Sequence, residues 1–198
     1  MGIAVRTQES RQELHFVSED GEIALNSEAL QGTWTEEQYL RLTENNNILI
    51  EYTDGIIEVL PMPTDKHQSI LQFLFLALHT LIHPRGGKVQ FAALPIKIRE
   101  GKHREPDLLA VLDATDPRRQ SSEWLGADLV MEVVSPDNPE RDTRIKRAEY
   151  AEISIPEYWI VNSLNETITV LRLDGDAYIE YGVFRRGGTA ISAYRLHN

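Results

Sequence analysis

Apolar and polar positions divide the chain into short elements. Residues 1–30 show no clear periodicity and predict a loose leader. Thr35 and Gln38 have capping-box spacing, which predicts a short helix over 36–44, ended by Asn45-Asn46-Asn47. Residues 48–60 carry Asp54-Gly55 between apolar-rich flanks, a hairpin signal, and Pro61 and Pro63 stop the second strand. Thr64 or Asp65 caps a predicted helix over 66–83. Its apolar residues surround most of the circumference, so it packs either between the sheet and another layer or against a second subunit. Strands are predicted at 88–98, 106–112 and 128–134, a loop over 113–126, a helix over 139–152, and strands at 157–162 and 167–173. From Gly182 onward the pattern is weak. The order implies a mixed α/β (α+β) fold with a central sheet flanked by helices. The helix at 139–152 can cross over between 128–134 and 157–162, which makes those two strands parallel.

One residue breaks the strongest apolar run. Residues 129–134 read Leu-Val-Met-Glu-Val-Val, and a run this apolar predicts a strand buried on both faces. The Glu132 carboxylate is costly there unless a cation, a metal or several donors meet it. Asp107 opens a second apolar run, 108–112, and Lys146 falls on the predicted helix at 139–152. Asp142, Lys146 and Tyr150, four apart, share one helix face. Two strand carboxylates and a lysine suit a Mg²⁺ or Mn²⁺ site with an activated water. Each residue also has an ordinary structural reading. Lys146 can pair with Asp142 on the surface, Asp107 can mark a turn, and Arg141 can neutralise Glu132.

Composition narrows the classes. At 198 residues, 41% hydrophobic and 26% charged, the chain suits one globular domain. It has no cysteine, which excludes disulfides and thiolate metal sites. No apolar stretch is long enough to span a membrane, and no secretory pattern opens the chain, so a cytoplasmic protein is expected. A net charge of −11 opposes a broad nucleic-acid-coating surface but not a local groove. Cations cluster at 97–104 and 141–147, on either side of the proposed site, as phosphate contacts or as solvated charged faces.

Several motifs in order carry a resemblance. They are Glu51-Tyr52-Thr53-Asp54-Gly55, Met62-Pro63 to His67, Glu105-Pro106-Asp107, Glu132-Val133-Val134-Ser135-Pro136, Arg141-Asp142 through Lys146 to Tyr150, and Glu157-Tyr158-Trp159-Ile160-Val161. Together they resemble the Uma-two family of restriction-endonuclease-like proteins, within the PD-(D/E)XK nuclease superfamily, over about residues 33–173. The resemblance implies a restriction-endonuclease-like core over 33–181, with 1–32 as leader and 182–198 as tail. It implies that Asp107 and Glu132 bind a divalent metal, with the Val133 carbonyl as a further ligand. The superfamily lysine would fall at position 134, which is Val134 here. Lys146 matches a relocated lysine on the following helix. Glu51 is implied near the metal or its waters. His67 is either a phosphate or carboxylate contact or a helix-start structural histidine.

The implied function is Mg²⁺- or Mn²⁺-dependent hydrolysis of DNA phosphodiester bonds by a homodimer, with the helix at 66–83 as a candidate contact. Two rival readings are an inert nuclease-fold binding or regulatory module and a metal-dependent phosphoesterase for small esters.

Overall fold

The computed structural model describes residues 2–8, 11–18, 21–26, 30–45 and 48–193, with side chains from residue 30 onward except Asn45. Its first three strands, β1 (Gly2–Gln8), β2 (Arg11–Ser18) and β3 (Gly21–Asn26), form an antiparallel meander. They lie where the sequence predicts a loose leader.

Helix α1 (Glu36–Asn45) starts at the expected capping box. The Gln38 N–H donates to Thr35 Oγ1 at 3.2 Å, and the Thr35 N–H donates to Gln38 Oε1 at 2.9 Å. The hairpin β4 (Ile50–Thr53) and β5 (Ile56–Val59) turns at Asp54 and Gly55, both at positive φ. Gly55 is required twice over. Its φ is +86°, and a Cβ there would sit 2.7 Å from the Gly32 backbone.

The predicted strand over 88–98 is two strands in two sheets. Strand β6 (Lys88–Phe91) pairs with β9 (Leu108–Val111), whereas β7 (Ile96–Arg99) pairs with β8 (Lys102–Arg104). Pro95 lacks the N–H that a continuous ladder needs, so the chain changes sheets there. It returns through Glu105-Pro106-Asp107 to β9.

Strands β10 (Leu129–Val133), β11 (Glu157–Asn162), β12 (Thr167–Asp174) and β13 (Ala177–Arg185) complete a six-stranded sheet, ordered β13-β12-β11-β10-β9-β6. As predicted, β10 and β11 are parallel. The connection contains a π-helical turn, Arg141–Ile145, continuous with α3 (Lys146–Glu152). The smaller sheet is ordered β5-β4-β8-β7.

Alternation along β10 sends its residues to opposite faces. Met131 and Val133 meet Leu71, Leu74 and Leu78 of α2 (Asp65–Ile82). Val130 and Val134 face a core made with Tyr150 and Ala151 of α3, Ile96 and Ile98 of β7, and Trp124. Glu132 shares this second face. Helix α2 is covered on one side only. Phe73 and Leu76 are 69% and 57% exposed, so no second layer covers them among the described residues.

Candidate active site

The two sheets meet where the chain passes from β8 to β9, and the acidic residues gather at this junction. Glu51 comes from β4 of the smaller sheet, Asp107 from the entry to β9, and Glu132 from the middle of β10. Lys146 and Tyr150 reach toward Glu132 from one face of α3.

Lys146 is buried, and its Nζ lies 2.9 Å from Glu132 Oε1, 3.2 Å from Glu51 Oε1 and 3.7 Å from Asp142 Oδ1. It is therefore not a surface partner of Asp142. Tyr150 donates its hydroxyl to Glu132 Oε1 at 2.5 Å. Asp107 is locked to the same strand. Its N–H donates to Glu132 Oε2 at 3.3 Å, and its Oδ2 accepts from the Val133 N–H at 2.7 Å. His67 Nε2 lies 3.2 Å from that same Oδ2. The His67 backbone N–H is capped by Thr64 Oγ1, which fixes the first turn of α2 against Asp107.

The structure thus brings together Asp107, Glu132, Lys146, Glu51 and His67. Val133 is adjacent through its N–H. Arg141, the alternative cation for Glu132, instead pairs with Glu58.

Three residues of this site carried no role in the sequence reading. Asp142 is buried and accepts from the Ser135 N–H at 3.4 Å. Only the shared face of Asp142, Lys146 and Tyr150 signalled Asp142 and Tyr150. Glu105 is buried, and neither carboxyl oxygen has a hydrogen-bond partner. The π-helical turn that carries Asp142 adds a residue to the helix turn, a distortion frequent at functional sites.

The electrostatics follow from the count of charges. Glu51, Glu105, Glu132 and Asp142 are all buried, with Asp107 beside them, Lys146 is the cation at their centre, and Arg104 lies 3.6 Å from Glu51 at the edge. Burial raises the Glu132 carboxyl above the ordinary carboxylate range, against the lowering pull of Lys146, and Asp107 and Asp142 add to the rise. Burial also raises Asp142, again against Lys146. It pushes Glu105 up to about 8, and the Glu51 charge adds to that. Burial opposes the Lys146 charge, yet Glu132, Glu51 and Asp142 outweigh it and hold the ammonium charged. The hydrogen bond to Asp107 raises His67. Surplus buried negative charge and hard oxygen donors suit a divalent cation. Asp107 and Glu132, with the Val133 carbonyl beside them, are the residues that would hold it.

The cations of the two clusters are largely paired with carboxylates, Arg99 and Arg144 at the surface. Lys97 pairs with Glu36, Arg99 with Asp54, Lys102 and Arg104 with Glu149, and Arg144 with Glu140. Arg147 donates to the Tyr178 carbonyl. A separate Glu36–His103–Glu123 group has ligand atoms within 4.8 Å of one another. Lys97 Nζ, 2.5 Å from Glu36 Oε1, already supplies positive charge there.

A family model, Uma2, described as "Putative restriction endonuclease", matches residues 36–196. Among solved structures, a protein from Anabaena variabilis, described as a "putative nuclease belonging to DUF820", superposes with a TM-score of 0.65 at 20% identity. That match covers 82% of this chain and 90% of the other, and it shows the shared fold. No curated protein matches the chain.

Proposed function

The chain belongs to the Uma2 family, and on that premise we propose that it is a divalent-metal-dependent endonuclease hydrolysing DNA phosphodiester bonds. The observation that carries this reading is the buried Lys146–Glu132 contact at 2.9 Å, with Asp107 tied to the same strand end. Mg²⁺ or Mn²⁺ would supply Lewis-acid polarisation of the scissile phosphate and acidify a water.

In this account Asp107, Glu132 and the Val133 carbonyl would hold the ion. Lys146 is kept charged by its neighbours, so it serves as a donor rather than a base. It orients the attacking water and offsets charge on a phosphorane-like transition state. Tyr150 and Glu51 fix Glu132 and Lys146, respectively, and His67 fixes the Asp107 carboxylate.

The internal pairing of both cation clusters favours a second reading, a nuclease fold that does not process DNA. One experiment separates the two. Purified protein should nick supercoiled plasmid with Mg²⁺ or Mn²⁺, and Asp107→Ala, Glu132→Ala and Lys146→Ala should each abolish nicking. Wild-type protein inert with both ions would favour the second reading. Cleavage of small phosphate esters alone would indicate a phosphoesterase.

Phe73 and Leu76 on the uncovered side of α2 support a homodimer, which sedimentation of wild type and Phe73→Glu would test. No helix of the described residues is long and apolar enough to cross a membrane.

A further inference from the structure

A cavity of about 290 Å³ opens between the first turns of α2, the β11–β12 turn and the end of β13. Its walls combine two kinds of chemistry. Phe184, Ile70 and Ile168 form an apolar side. Lys66 and Arg185 supply positive charge, and neither is paired with a carboxylate among the described residues. Lys66 Nζ donates to the Ser163 carbonyl at 3.1 Å. The one carboxylate in the wall, Glu166, is neutralised by Arg186 at 2.9 Å. Asn162 uses its side-chain oxygen to accept from the Leu164 N–H, and its amide nitrogen has no protein partner among the described residues.

The cavity opens on the α2 face of the sheet, opposite Glu132, and two relations link it to the acidic site. Lys66 precedes His67, which touches Asp107. Val161 in the cavity wall is the β-ladder partner of Val133, whose N–H holds Asp107. Phosphate contacts must come from somewhere, and most cations of the clusters at 97–104 and 141–147 are already ion-paired. Lys66 and Arg185, like Arg147, have no carboxylate partner among the described residues and remain available for a phosphate.

Resting on the nuclease reading above, we propose that this cavity receives one unstacked nucleotide of the substrate strand. The base lies on Phe184, the Asn162 amide donates to its edge, and its phosphate sits between Lys66 and Arg185. A volume near the lower end of small-ligand sites suits a single nucleotide and excludes a duplex. Aromatic stacking with flanking cations is the general mode of single-strand capture. The enzyme would then favour single-stranded or locally unpaired DNA, where extruding a nucleotide costs least.

The test separates the cavity from the chemistry. Thymidine 5′-monophosphate is titrated into wild-type protein in EDTA and followed by amide NMR shifts, with inorganic phosphate as control. Saturable nucleotide binding, tighter than phosphate, is expected. Phe184→Leu, which keeps an apolar side chain in place, should weaken it about tenfold. Arg185→Gln, an exposed change, should weaken nucleotide and phosphate alike. Absent binding, or binding indifferent to both substitutions, overturns the proposal. Asp107→Ala should bind the nucleotide as wild type does. Plasmid nicking without nucleotide binding would sink the cavity alone, and binding without nicking would sink the nuclease reading alone.

Discussion

Replacing Lys146 with methionine keeps most of the side-chain volume and removes the charge at the centre of the acidic group. Glu132, Glu51 and Asp142 would lose a cation at 2.9, 3.2 and 3.7 Å while remaining buried. Breaking a buried pair in this way typically costs about 3–5 kcal/mol. The protein can limit the loss by taking up a proton. Burial already raises Glu132 to about 8 beside Lys146, so in wild type most of the cost of protonating it near neutral pH is already met. The sign follows from linkage. Without Lys146, the folded pKa of Glu132 lies further above its unfolded value, so folding takes up a proton and stability falls as pH rises between the two. Urea denaturation in EDTA should therefore show Lys146→Met destabilised by about 3–5 kcal/mol at about pH 9, above the value to which Glu132 is already raised, and by less at about pH 7. Equal losses at both pH values, or a loss under about 1 kcal/mol at the higher one, would refute the buried ion-pair account.

Other perturbations test neighbouring parts of the same account. Glu105, raised to about 8 by burial, should make stability fall as pH climbs from the ordinary carboxylate range toward that value. Glu105→Gln should flatten this slope and gain a few kcal/mol near about pH 9, measured by denaturation across pH. Tyr150→Phe removes the hydroxyl held 2.5 Å from Glu132 and should cost about 1.5–3 kcal/mol by urea denaturation. Gly55→Ala forces a Cβ to 2.7 Å from the Gly32 backbone at a φ of +86°. It should lower the thermal midpoint by about 5 °C or more.

The strand and helix that meet at the acidic cluster were legible because they violate an otherwise consistent pattern. Glu132 interrupts an apolar run, and Lys146 shares one face of the following helix with Asp142 and Tyr150. The parallel pairing of β10 and β11 followed from the length of the connection between them. Other features left weaker traces. Val89 and Phe91 alternate in one phase and Ile96 and Ile98 in the other, and that slip together with Pro95 marks the change of sheet.

Strand β8 is Lys-His-Arg, and two of its residues are buried against acidic partners, His103 hydrogen-bonded to Glu123 and Arg104 ion-paired with Glu149. Polarity along the chain could not show this. The cation clusters looked available because their partners, Glu36, Asp54, Glu140 and Glu149, include three from distant segments. In the first 26 residues, Val5 pairs in register with Leu14, and Leu14 with Leu25. That period-two signal was present but spread over three short strands.

The central claim is that Asp107 and Glu132 share a divalent ion, and calorimetric titration with Mn²⁺ tests it most directly. Wild-type protein should bind Mn²⁺ at a single saturable site, and Asp107→Asn, which removes one ligand charge while preserving shape, should lose that binding. Unchanged binding by Asp107→Asn, or no saturable binding by wild type, would contradict it.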